Sequence, residues 1–146
     1  QSLREQQSLA YDVSSFSSNF RDCGSLVVYC GVEPKKSRAA IRAVVSEFKN
    51  LHQEPPSQEI TKAKEYAKGR MLLGMEDTRA VAGWMGYQEL LQGQVTTPEE
   101  VVQEIDTITP EGIARVGQRL LDPDKLRLVV VGPHRSSKLF QKLLQF

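Results

Sequence analysis

What most constrains this chain is the order of its periodicities. Two strand-like runs come first, and the sequence then reads as helix after helix until Leu126. Leu9 to Phe16 alternates, placing Tyr11, Val13 and Ser15 on one face and Asp12, Ser14 and Phe16 on the other. Ser25 to Val32 holds the continuous apolar stretch Leu26-Val27-Val28-Tyr29, which suits a strand covered on at least one side. The polar break Ser17-Ser18-Asn19 separates the two runs, and Asp22-Cys23-Gly24 lies near the turn of the antiparallel hairpin they should form.

Helix signals follow. Pro34 fits a first helical turn, where its missing N–H costs nothing. Ala40, Ile41, Val44, Val45, Phe48 and Leu51 then recur at helical spacing and form an apolar stripe for docking. Pro55-Pro56 breaks the chain, and Ser57 is the expected cap of a helix running to about Met75. That helix should leave Lys62, Lys64, Glu65 and Lys68 solvated. A restart at Glu76-Asp77-Thr78 leads to a helix carrying Gly83 and Gly86, each costing about 1 kcal/mol relative to Ala unless close packing compensates.

Thr97-Pro98-Glu99-Glu100 and Thr109-Pro110-Glu111 are two similar helix starts. In each, Thr caps, Pro occupies the first position, and Glu complements the positive helix end. Glu100 also completes a capping box with Thr97. Leu126 to Val131 reads as a third strand, closed by Gly132-Pro133, and a last amphipathic helix starts near Ser136. Segregated strands and helices predict an α+β fold: a mainly antiparallel sheet with helices packed on one face. The expected organisation is one domain over residues 1–146.

Net charge is +1, from 19 basic and 18 acidic side chains, which gives no electrostatic footprint for nucleic acid or an anionic membrane. No run approaches the ~20 apolar residues of a membrane span. The composition, 40% hydrophobic and 25% charged, suits a soluble globular domain with a core. Cys23 and Cys30 are separated by an odd number of residues and should face opposite sides of a continuous strand, as packed free thiols. No signal peptide is visible and the chain opens without an initiator Met, so the sequence leaves the compartment unknown.

Candidate chemistry is sparse. A zinc site needs three or four converging ligands, and the two histidines, His52 and His134, stand in separate loop-like contexts where both are expected at the surface. There is no H-x-x-E-H and no G-x-S-x-G elbow. Gly31, Gly83 and Gly86 form no phosphate loop. What is left is an Arg seven residues before a Tyr, Arg4 and Tyr11, in Leu3-Arg4-Glu5-Gln6-Gln7-Ser8-Leu9-Ala10-Tyr11. Alone, such a pair is common.

Its context is less so. The segment resembles the L-R-E-x-x-G-L-A-Y stretch in the carboxy-terminal module of the pitrilysin/insulinase family of zinc peptidases, which includes the mitochondrial processing peptidases. Further similar pieces follow in order: Phe20-Arg21-Asp22-Cys23-Gly24, Ile60-Thr61-Lys62-Ala63-Lys64, Met71-Leu72-Leu73-Gly74-Met75-Glu76, Pro98-Glu99-Glu100-Val101, Ile105-Asp106-Thr107-Ile108-Thr109-Pro110-Glu111 and Val130-Val131-Gly132-Pro133.

The resemblance implies half of a zinc endopeptidase, the half without the metal. Zinc would sit in an H-x-x-E-H module, in the same polypeptide or another subunit, and the two would close over a peptide substrate. Tyr11 would bond the scissile carbonyl or oxyanion, and Arg4 would hold the substrate main chain. A fixed donor at that position stabilises the transition state more than the ground state. The family also contains inactive members that serve as partner or structural subunits, and this is the alternative reading. The chain alone should be inactive. It also reads as a fragment lacking the family's first strand and helix, which would leave a sheet edge open to homo-oligomerisation. One departure stands out: the family usually has Gly where this chain has Ser8, and Ser tolerates fewer backbone conformations.

Overall fold

The computed structural model describes residues 8–144. Strand β1 (Asp12–Asn19) pairs antiparallel with β2 (Gly24–Gly31), in register from Asp12 opposite Gly31 to Asn19 opposite Gly24. The expected hairpin is therefore present, with its turn later than the polar break. Ser17, Ser18 and Asn19 lie within β1, and the turn is closed by the Phe20 N–H donating to the Cys23 carbonyl at 2.8 Å.

Five longer helices follow: α1 (Ser37–Asn50), α2 (Ser57–Gly74), α3 (Thr78–Gln92), α4 (Pro98–Thr107) and α5 (Pro110–Leu120). A short α6 (Lys138–Gln141) comes last. The class is α+β, with helices predominating over a small antiparallel sheet.

Two compact units can be distinguished, one formed by Gln1–Gln53 with Ala114–Phe146 and the other by Glu54–Ile113. In the first, Ala40 and Val45 of α1, Ala114 of α5, Leu121 and Phe140 are buried. The end of α1 and the end of α5 interlock. Gly117 of α5 lies so close to Leu51 that a Cβ there would collide with the Leu51 carbonyl. Beside this contact the Gln118 amide donates to the His52 carbonyl at 2.7 Å, and His52 Nε2 donates to the Leu121 carbonyl at 3.1 Å. Free carbonyls at the ends of both helices are thus satisfied from the neighbouring helix end.

In the second unit α2 packs on α4. Lys64 Nζ donates to the Asp106 carbonyl at 2.8 Å, and Lys68 Nζ bridges Asp106 Oδ1 at 2.9 Å and Glu65 Oε1 at 2.7 Å. Lys64 and Lys68 are therefore not simply solvated: they reach the negative end of α4, where cations are favourable. Hydrogen bonds to Glu65 and Asp106 push the Lys68 ammonium upward from the usual lysine range. Buried Gln88 of α3 clasps the α3–α4 connection, accepting from the Thr96 N–H at 3.0 Å and donating to its carbonyl at 3.5 Å.

Capping follows the sequence at two of the three expected positions. Thr97 and Glu100 form the reciprocal box at the start of α4, and the Thr109 hydroxyl accepts from the Gly112 N–H at 3.1 Å in α5. Ser57 does not cap α2. It is the first helical residue after Pro56, and no side chain caps that end. Asp77 takes the capping role for α3, accepting from the N–H groups of Arg79 and Ala80.

Two further expectations need correction. Leu126–Val131 forms no strand. No described strand runs beside it, and the Arg127 guanidinium instead bonds the nearby carbonyls of Asp124 and Leu126 at 2.9 and 2.8 Å. Leu126 and Leu128 are half-buried while Val129 and Val131 are 86% and 95% exposed, so this β-prone run has one covered side but no ladder. Gly83 and Gly86 do not sit in close helix contacts either, for a Cβ at each would meet nothing within 4 Å.

Candidate functional site

Tyr11 stands at the open end of the hairpin, just before β1 begins. Its N–H donates to the Gly31 carbonyl at 3.0 Å, which extends the hairpin ladder by one bond and fixes where the side chain leaves the backbone. The ring lies across Gly31. A Cβ built on Gly31 would be 2.6 to 2.9 Å from Cε2, Cζ and the hydroxyl oxygen of Tyr11. Only a residue without a side chain leaves the ring that seat. Tyr11 is nevertheless 71% exposed, and its hydroxyl bonds to no described residue. The arrangement is a phenol held from below by backbone, with its donor unpaired among the described residues.

The approach to Tyr11 is also fixed. Ser8 has φ of +49°, in the left-handed region. Its position does call for the conformation that glycine adopts without steric penalty, and Ser adopts it at a cost of about 1–2 kcal/mol. Lys36 helps to hold the bend. Its Nζ donates to the Ser8 carbonyl at 3.2 Å and pairs with Glu33 at 3.6 Å. Ala10, between the bend and Tyr11, is buried. Arg4 lies outside the described residues, so its relation to Tyr11 rests on the sequence alone.

Sequence reasoning missed Gly31 and Lys36. Gly31 forms no phosphate loop, yet it seats the candidate tyrosine. The sequence carries no signal for this contact, since only folding brings the ring over Gly31. Lys36 gave no signal in the sequence.

The histidines need correction as well. Neither is a free surface residue. His52 bonds the end of α5, and His134 Nε2 lies 3.3 Å from the buried Ser37 hydroxyl and packs edge-on against Phe140. Among the described residues no three His, Cys, Asp or Glu side chains converge as a metal site would require. The donor set of the described residues therefore does not fit zinc. Cys23 and Cys30 are free, Cys23 exposed in the turn and Cys30 half-buried. Burial, and secondarily the Asp12 carboxylate, pushes the Cys30 thiol up from its ordinary value.

Hairpin, helical body and exposed phenol together define a helix-rich α+β module with no converging metal ligands among its described residues. Comparison with known proteins gives that class a family. Residues 1–66 match the peptidase M16 inactive domain. An uncharacterised zinc protease of Streptomyces coelicolor is 31% identical over 134 residues, which is 91% of this chain and 29% of that protein. The beta subunit of the mitochondrial-processing peptidase of Blastocladiella emersonii is 28% identical over 88% of this chain and 28% of that subunit. Among solved structures, a chain of complex III2 from Candida albicans superposes with a TM-score of 0.73 at 19% identity, covering 81% of this chain and 28% of that one, and so shares the fold. The chain belongs to the pitrilysin/insulinase family, as its inactive carboxy-terminal module. It spans less than a third of the length of these two relatives.

Proposed function

We propose that this module is the substrate-contacting half of an insulinase-like zinc endopeptidase, acting with a separate H-x-x-E-H module. The observation that carries the proposal is Tyr11, seated on Gly31 with its hydroxyl exposed and unpartnered among the described residues. An unpaired phenol on a rigid seat is a preorganised donor. When a peptide carbonyl becomes tetrahedral and its oxygen gains negative charge, such a donor contributes more to the transition state than to the substrate. Arg4 would add a permanently charged fork for the substrate main chain. Zinc belongs to the partner module, and this chain's part is to bind, orient and supply the hydroxyl.

The test is cleavage of an unstructured peptide by the intact protein supplied with zinc and, where the metal module is a separate subunit, with that subunit. Tyr11→Phe keeps the ring on Gly31 and removes only the donor. Loss of one oxyanion donor should lower kcat by about 10²–10³-fold with KM and melting temperature nearly unchanged. Unchanged turnover would remove Tyr11 from the mechanism. An intact protein that folds, pairs with its metal module and cleaves nothing would leave the family's structural-subunit role as the better reading.

A further inference from the structure

The start of α1 and the segment before α6 enclose a concavity of about 270 Å³ in the first unit. Lys35, Arg38 and Arg135 line it, together with Pro34, Leu139 and Phe140. No described carboxylate lies in the lining or pairs with any of the three cations. Glu33, the acidic residue nearest in sequence, is instead paired with Lys36 at 3.6 Å. Three like charges gathered without a counter-charge are unfavourable until an anion joins them.

The gathering is built into the fold. Ser37, only 5% exposed, donates its hydroxyl proton to the Pro34 carbonyl at 3.0 Å. Its oxygen is then the acceptor toward His134 Nε2 at 3.3 Å, which makes that nitrogen the N–H of the ring. This bond ties the residue beside Arg135 to the turn that carries Lys35 and Arg38. The His134 ring is braced in turn by Phe140, with centroids 5.0 Å apart and planes at 82°. The two segments that carry the cationic rim are therefore tied together by a buried hydroxyl and a ring contact, beside apolar Pro34, Leu139 and Phe140.

We infer that this concavity is a carboxylate-recognition subsite for an acidic residue of a bound peptide, flanked by an apolar one. The guanidinium groups of Arg38 and Arg135 match a carboxylate by paired N–H donors, and Lys35 adds a point charge. Pro34, Leu139 and Phe140 offer apolar surface that a bare inorganic anion would not use. The choice of a peptide rests on the reading proposed above, but the site can be tested without any cleavage.

The probe is acetyl-Leu-Glu-Phe-amide, titrated calorimetrically into the intact protein beside its neutral counterpart acetyl-Leu-Gln-Phe-amide and inorganic phosphate. The Glu peptide should bind at least about tenfold tighter than the Gln peptide, the gain expected of a charge-assisted pair. Arg38→Gln with Arg135→Gln should erase that difference, and both side chains are exposed, so folding is not at issue. Binding is read here without turnover, so failure of this site is distinguishable from failure of the catalytic reading. Equal affinity for the two peptides, or discrimination that survives in the double variant, would overturn the assignment. Phosphate binding as tightly as the Glu peptide would overturn the peptide part and make the concavity a general oxyanion site.

Discussion

Two regions of the first unit, the α1–α5 junction and the open end of the hairpin, each use a glycine for close approach, to opposite ends. At the junction, Gly117 lets one backbone lie on another, and polar groups around it are consumed: the Gln118 amide, the His52 ring and the carbonyls of His52 and Leu121 all have partners. At the hairpin end, Gly31 lets an aromatic ring lie on backbone, and the polar group that results is left over. The same steric device closes one region and exposes a donor in the other. A saturated junction reads as architecture, whereas a fixed but unsaturated one reads as a site.

The largest effect should come from removing the seat at the hairpin end. Gly31→Ala puts a methyl group within 2.6–2.9 Å of two Tyr11 ring carbons and the hydroxyl oxygen, so the ring must leave. The hydroxyl remains in the protein but moves from its position. Turnover by the intact protein should fall by about 10²-fold or more, approaching the Tyr11→Phe value. The melting temperature should move little, because Tyr11 is mostly exposed. Full activity in Gly31→Ala would mean that the seat does not define the donor, and the contrast between the two regions would fail.

Gly117→Ala should act on stability. The added Cβ meets the Leu51 carbonyl, which is backbone and cannot swing aside as a side-chain tip would. Overpacking of this kind costs about 1–3 kcal/mol, readable as a lower urea midpoint at unchanged slope. Gly83→Ala is the control, since its Cβ meets nothing within 4 Å and should stabilise α3 by about 0.5–1 kcal/mol. A Gly83→Ala variant that is destabilised would reveal a surface covered in the intact protein.

The sequence was most legible where the determinants are local. The Thr97–Glu100 box, the Thr109 cap and the helix following Pro34 depend on neighbours a few residues apart, and all three formed. The hairpin was legible because its strands are close in sequence. Leu126–Val131 was not, because a strand needs a ladder partner that its own residues cannot specify. Ser57 did not take the expected capping role, since Pro56 already sets the entry to α2. The α1–α5 junction and the Gly31 seat were invisible for the same reason as each other. Each joins segments whose contact is created only by folding, and a glycine in a sequence does not say what lies above it.

Ser8 offers the smallest and sharpest test of the hairpin end, because there the sequence departs from the family while the structure keeps the backbone that glycine favours. With φ at +49°, Ser8 carries a Cβ in a region L-residues rarely occupy. Ser8→Gly removes that strain but also gives the unfolded chain more freedom, and the two effects partly offset. The net gain should be about 1 kcal/mol or less, seen as a rise of a few degrees in melting temperature. The Lys36 bond goes to the Ser8 carbonyl, which the substitution leaves in place, so the bend should persist. If turnover rises together with stability, the strained bend was displacing Tyr11 from its best position. If stability rises alone, Gly31 fixes the ring independently of the approach. A fall in stability would mean that the serine makes a contact which outweighs its backbone strain, and the bend would have to be counted with the saturated junction rather than with the open site.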